Sequence, residues 1–347
     1  MKLLLKNYFS TLIFIFFIYF FYNSFDYYHS FFQGKYQLDF LPWVSFTIIG
    51  AFHFVIGAYT VLLLPFYYIH QEKGKALLIV EYFIKKIQNF SYKIQPQEKV
   101  AVLAWGVKMF FAPLMIFWIL WHVFSLLSSY DILIKTGTQG IPFIDLFNNS
   151  IFWLCFNTIF FVDVFFFTCG YLFESPYLKN TIKSVEPTVF WWFVALACYP
   201  PFNSYTNIIL KWYSNDFPQF QNVYLHIWFN VWILLLMAIY SWASFALGFK
   251  ASNLTNRGIV KKGPYRYVRH PAYIAKNIAW WIGGFPALYW AFHANDFNLL
   301  TLVLFSLASW TGIYFLRALT EEWHLSQDKE YREYKKEVPY RFIPYIY

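Results

Sequence analysis

Stretches of about twenty mostly apolar residues recur along this 347-residue chain, the length needed to cross a hydrocarbon core of about 30 Å. They fall at approximately residues 8–25, 41–68, 101–127, 146–172, 188–209, 223–248, 272–292 and 297–318. Only 13% of the residues are charged, roughly half the usual share in a soluble domain, while 59% are hydrophobic and 26% aromatic. The expected fold is therefore all-α: a polytopic transmembrane helical bundle of about eight spans, with a cytosolic C-terminal helix and tail. Pro200 and Pro201 interrupt the fifth segment, which is the candidate for a re-entrant element. The apolar N-terminus lacks a small-residue cleavage site and reads as an uncleaved first span.

The net charge of +9 does not indicate a nucleic-acid partner, because the cations sit in short loops between spans. With eight crossings, Lys2 and Lys6, the six lysines between Lys73 and Lys99, Lys179 and Lys183, the Lys250–Arg269 stretch and the C-terminal tail all fall on one side. Lys35, Lys135 and Lys211 fall on the other. The positive-inside rule then places both termini and the Lys250–Arg269 loop in the cytosol. The loop from Gly74 to Gln97 has apolar residues at helical spacing opposite its lysines, the pattern of a helix lying on the membrane surface. The three cysteines show no ligand spacing, and nothing in the sequence demands a metal.

The densest polar run is Arg257–Tyr273 (RGIVKKGPYRYVRHPAY), and a second, Arg317–His324 (RALTEEWH), follows one apolar hairpin later. Pro271 suits the first turn of a helix. A helix of about 20 residues rises about 30 Å, so a hairpin turning at Asn295–Asp296 returns the chain to its starting face. Arg269, His270 and Tyr273 are thus expected at the same depth as Arg317, Glu321 and Glu322. Charges at the edge of a bilayer are costly unless paired, hydrated or used, which makes this cluster a candidate site. His53, His122 and Asp163 are polar residues within spans, expected to bond neighbouring helices or to line an acceptor cavity.

The order GPYRYVRHPAYIAKN, hairpin, EEWHL, EYREYKKEVPYRFIP resembles the C-terminal half of isoprenylcysteine carboxyl methyltransferases and their bacterial relatives, over about residues 245–347. Phospholipid N-methyltransferases share the general plan. The resemblance implies S-adenosyl-L-methionine as methyl donor, bound at the cytosolic mouth of the last two spans, and a membrane lipid or lipidated acceptor reaching it from the bilayer. It implies a cofactor site of Tyr265, Arg269, His270, Tyr273, Arg317, Glu321, Glu322, Tyr331, Tyr334 and Arg341, with Arg269 and Glu322 cast as catalytic. Residues 241–347 are then the methyltransferase-like region, and residues 1–240 an N-terminal transmembrane region with a possible acceptor chamber. The location implied is a cytoplasmic membrane in a bacterium or the endoplasmic reticulum in a eukaryote. One departure stands out: eukaryotic members carry a basic residue near the end of the preceding span to hold the acceptor carboxylate. Here that region reads YSWASFALGFKASN, with Lys250 its nearest cation.

Two other readings compete. Sterol-reductase-like, NADPH-dependent membrane enzymes share RHPxY, but they carry Asn where this chain has Ala272. A non-enzymatic membrane protein or transporter would need polar residues converging at mid-membrane. There is no GxGxxG, GxxxxGK[ST] or HExxH motif, which argues against a Rossmann cofactor site, a P-loop and a zincin.

Overall fold

The computed structural model describes residues 1–38 and 41–346; Asp39, Phe40 and Tyr347, the last residue of the 241–347 region, lie outside the described residues. The chain runs α1 (Lys2–Ser24), α2 (Asp26–Phe32), β1 (Lys35–Leu38), β2 (Leu41–Thr47), α3 (Ile48–Ile69), α4 (Lys75–Gln88) and α5 (Pro96–Gly137). It continues through α6 (Phe143–Leu146), a π-turn, α7 (Phe152–Leu172), β3 (Ser184–Val185), α8 (Val189–Leu196), α9 (Phe202–Ile209) and α10 (Val223–Leu247). Last come β4 (Thr255–Asn256), α11 (Pro271–His293), α12 (Phe297–Leu325) and α13 (Lys329–Glu337).

Six helical segments among the described residues are long and apolar enough to cross a membrane: α1, α3, α5, the α6–α7 unit, α10 and α12. Between 17% and 33% of the most apolar stretch of each is buried, so most of their surface faces outward, as lipid contact requires. These helices match six of the about eight segments expected from the sequence. The 188–209 segment is two short helices, α8 and α9, broken at Pro200–Pro201, because proline supplies no donor to a continuing helix. The 272–292 segment is a continuous 23-residue helix, α11, but it is not among the six. Its Lys276, its tryptophans and its Tyr289 lower its hydropathy without shortening it.

Two further boundaries move. Residues 41–47 are not helical: β2 pairs antiparallel with β1, and Thr47 caps α3 by accepting a hydrogen bond from the Gly50 amide at 3.1 Å. The 101–127 segment is the middle of a 42-residue helix, α5, about 63 Å long and twice the thickness of a hydrocarbon core. Its start is set by Glu98, which accepts from the Gln95 amide at 2.9 Å and pairs with Lys85 at 3.0 Å. The surface helix expected over 74–97 is α4, with Ala76, Leu77 and Ile79 inward and Phe83, Ile84 and Ile87 exposed.

The helices pack as a row: α1 and α4 with α3 and α5, then α5 on α7, α7 on α10, α10 on α11 and α11 on α12, with α8 closing back on α12. Gly170 lets α7 approach the turn after α10 closely; a Cβ there would lie 2.1 Å from the Ala251 carbonyl oxygen. Gly283 does the same for α11, where a Cβ would meet the Asn215 carbonyl oxygen at 2.3 Å. Outside the row, β3 pairs antiparallel with β4, joining the loop after α7 to the loop after α10. The final helix α13 turns its Tyr331 and Tyr334 inward, where with Val338 they form a small core beneath Ile259, Tyr265 and Leu325.

Candidate active site

His270 is the residue immediately preceding α11, and Pro271 supplies its first turn. The α11–α12 hairpin brings Glu321 and Glu322, at the far end of α12, back to this point. Arg269 Nε donates to Glu322 Oε1 at 2.8 Å across 53 residues of sequence, so the expected convergence of the two polar runs is what the structure shows. The chain after α13 completes the arrangement. The Arg269 amide donates to the Tyr340 carbonyl at 3.0 Å and the His270 amide to the Arg341 carbonyl at 2.9 Å. The Arg269 guanidinium also donates to the carbonyls of Val338, at 2.8 Å, and Pro339.

The adjacent glutamates have different surroundings. Glu322 is 3% exposed and serves as a hub: Arg341 donates to both its oxygens at 2.9 and 3.1 Å, Lys335 stands at 3.3 Å and His270 Nε2 at 3.3 Å. Such a carboxylate, saturated by Arg269, Arg341, Lys335 and His270, has no lone pair left to offer a ligand. The Glu321 side chain is 33% exposed and is held by the Tyr273 hydroxyl, with His270 Nδ1 at 3.7 Å.

A cavity of about 200 Å³ opens beside this hub. Of the residues singled out from sequence, Tyr265, Arg269, His270, Tyr273, Arg317, Glu321, Tyr331 and Tyr334 line it, while Glu322 and Arg341 stand behind the wall. Burial pushes the hydroxyls of Tyr265, Tyr331 and Tyr334 upward from their ordinary values, so they remain neutral donors at pH 7. The Tyr334 hydroxyl donates to the Tyr265 carbonyl at 2.8 Å and so fixes α13 against the loop.

Sequence reasoning did not single out Tyr199, Tyr240 and Tyr314, which also line the wall. Arg317 donates to Asn253 at 2.9 Å, and its guanidinium lies 5.0, 5.3 and 5.6 Å from the rings of Tyr314, Tyr273 and Tyr199. Its Nε is buried without a hydrogen-bond partner. Lys276, one turn along α11 from Tyr273, lies over Tyr240 and Trp280 at 5.2 Å and Tyr314 at 5.5 Å. The signal for Lys276 was legible as a lone lysine inside an apolar run; nothing local marks Tyr199, which follows α8. His324, which also lines the cavity, meets Ser184 Oγ on β3 through its Nε2 at 2.9 Å. Lys250 lines the cavity too.

The polar residues noted within spans behave mostly as helix–helix links. Asp163 on α7 accepts from Tyr240 at 3.0 Å and from Ser244, both on α10. His53 meets the Tyr19 hydroxyl at 3.0 Å. His122 stacks on Phe160, with its Nδ1 buried and unpartnered.

No curated protein and no solved structure matches the chain. A family match does exist, and it begins about twenty residues before the resembling region, which starts at about residue 245, and ends before α13, so Tyr331, Tyr334 and Arg341 lie outside it. It covers less than a third of the chain and takes in α10, the RHP run, the α11–α12 hairpin and both glutamates: residues 225–327 match the isoprenylcysteine carboxyl methyltransferase (ICMT) family, a family of membrane methyltransferases.

Proposed function

We propose that the protein transfers a methyl group from S-adenosyl-L-methionine to a lipid or lipidated acceptor within the membrane, with the cavity between α10, α11 and α12 as the active site. The observation that carries this reading is the pairing on one face of α12 of Arg317, with a free buried Nε, and Glu321, four residues later, with a partly exposed carboxylate. A guanidinium beside a carboxylate is a receptor for an amino-acid zwitterion: Arg317 takes the carboxylate and Glu321 the ammonium. The rings of Tyr199, Tyr273 and Tyr314 add π-faces for a sulfonium cation. The cavity residues thus fit the methyl donor that the family match suggests.

When bound, the cofactor supplies an electrophilic methyl group on sulfur. The chain's own part is positioning and the exclusion of water. The Glu322 hub with Arg269, Arg341 and Lys335 locks α12, the start of α11 and the tail together, which fixes where Glu321 and Arg317 point. Arg269 and Glu322 are in this reading positioning residues. Tyr273 orients the Glu321 carboxylate through its hydroxyl. In this reading the mouth faces the cytosol from a cytoplasmic or endoplasmic-reticulum membrane, a side that the Lys- and Arg-rich loops support.

Calorimetric titration of purified full-length protein with S-adenosyl-L-methionine, S-adenosylhomocysteine and NADPH tests the proposal. Both S-adenosyl compounds should bind and NADPH should not. Glu321→Gln should weaken binding about 10- to 100-fold, the range for a charge-assisted hydrogen bond of about 1.5–3 kcal/mol. Unchanged affinity in that variant, or binding of NADPH alone, ends the reading.

A further inference from the structure

We infer that Lys276 is the specificity residue for the methyl acceptor, receiving a negatively charged acid group (carboxylate or phosphate) and excluding neutral amines; this rests on the reading of the cavity as a methyl-transfer site. Lys276 sits five residues into α11, about 7.5 Å beyond its first residue and about 4.5 Å deeper than Tyr273, on the same face of the helix. An ammonium at that depth is normally paired or used. Among the described residues no carboxylate oxygen lies within 4.0 Å of it. Asp163, the acidic residue on neighbouring α7, is engaged by Tyr240 and Ser244 instead.

The second observation concerns Arg317. Its guanidinium and the Lys276 ammonium lie over the same Tyr314 ring, at 5.0 and 5.5 Å, and both line the cavity. Neither makes an ion pair with a described carboxylate. Two unneutralised cations around one ring repel each other in a low-dielectric site, and anions entering the cavity relieve that repulsion. The amino-acid end of the methyl donor supplies one negative charge, to Arg317. Lys276 then has only the more distant carboxylates of Asp163 and Asp216 in its field, and a counterion in direct contact is what the acceptor can bring. The cation of the Tyr240–Asn253 stretch, Lys250, also lines the cavity but stands on the turn after α10, whereas Lys276 lies among the rings of Tyr240 and Tyr314.

The chemistry balances without a general base. A lone pair of the acid oxygen forms the new bond to the methyl carbon as the carbon–sulfur bond breaks, and that bond's electron pair stays on sulfur. The sulfonium becomes a neutral thioether, while a carboxylate becomes a neutral methyl ester and a phosphate monoester dianion a singly charged methyl phosphodiester, so no proton moves. Either product carries one negative charge fewer and holds Lys276 less tightly, which favours product release. An amine acceptor would instead bring a proton to be removed and a positive charge to be placed beside Lys276.

The test uses full-length protein in phosphatidylcholine nanodiscs. Equilibrium binding is measured for N-acetyl-S-farnesylcysteine, for a polyprenyl monophosphate and for phosphatidylethanolamine, each in the presence of S-adenosylhomocysteine. At least one acid acceptor should bind the unaltered protein and phosphatidylethanolamine should not; the acid that binds separates carboxylate from phosphate. Lys276→Met should weaken acid binding at least tenfold while Lys276→Arg stays within about threefold, both keeping wild-type affinity for S-adenosylhomocysteine. Acid binding undiminished in Lys276→Met, preference for the amine lipid, or loss of S-adenosylhomocysteine binding in both variants overturns the assignment. If the unaltered protein does not bind S-adenosylhomocysteine at all, the methyl-transfer reading itself fails; if it binds but takes neither acid, only the role of Lys276 falls.

Discussion

Glu322 and Lys276 sit on neighbouring helices around one cavity, and their surroundings are opposite. Glu322 is buried among Arg269, Arg341, Lys335 and His270, and the groups around it close a loop of hydrogen bonds through the tail. Lys276 has three aromatic rings and, among the described residues, no carboxylate oxygen within 4.0 Å. A buried charge with every valence taken serves the fold, because removing any partner strands the others. A charge held only by π-faces contributes little to the fold and is available to a ligand. The contrast separates the residues that hold the cavity together from those that face its contents.

The sharpest test of that contrast is Glu322→Gln. It leaves Arg269, Arg341 and Lys335 as uncompensated cations, and the expected loss is about 3–5 kcal/mol. Thermal unfolding of the detergent-purified protein, followed by tryptophan fluorescence, reads it; a melting temperature equal to wild type would show that the hub is not a stabilising feature. A smaller effect is expected at a second saturated carboxylate, Glu174, which pairs with Lys75 and with Lys108 at 2.8 Å. Burial alone would raise its pKa, but the two lysines overcome this and hold it well below the ordinary glutamate value. Because the folded value is the lower one, this contribution is complete above the unfolded value of about 4.3 and is lost as pH falls below it. Glu174→Gln should therefore cost about 1.5–3 kcal/mol at pH 7 and flatten the fall in melting temperature below about pH 4.3. The smallest effect, and the one of opposite sign, belongs to Lys276→Met. Replacing a cation that has no ionic partner by an apolar chain of similar length should shift stability by less than about 1 kcal/mol, upward. A large loss there would erase the distinction between the two regions.

Convergence of the RHP run with the glutamate pair was legible in the sequence because it depends only on length. Two apolar segments of membrane-crossing length joined by a tight turn must bring their outer ends to one level, and Arg269 meets Glu322 accordingly. The helix at Lys329–Glu337, the surface helix at Lys75–Gln88 and the break at Pro200–Pro201 were legible for equally local reasons of capping, periodicity and proline geometry. The β1–β2 hairpin was not, since its apolar and aromatic residues continue directly into α3 and look the same to a hydropathy window. Nor was the full length of α5, whose ends lie beyond its apolar middle.

Composition and spacing by themselves made this a helical membrane chain and put two polar runs at one end of a hairpin, because hydrocarbon thickness and helix rise are fixed quantities. Which of two adjacent glutamates faces the cavity was beyond them. Neighbouring residues on a helix point about 100° apart, and the rotation of α12 is set by what packs around it. Only the folded chain decided that the tail would claim Glu322 and leave Glu321 open. It alone placed Tyr199, Tyr240 and Asn253, from three separate segments, around Arg317 and Lys276. Such contacts depend on how the helices of the row lie against one another, which no single stretch of sequence encodes.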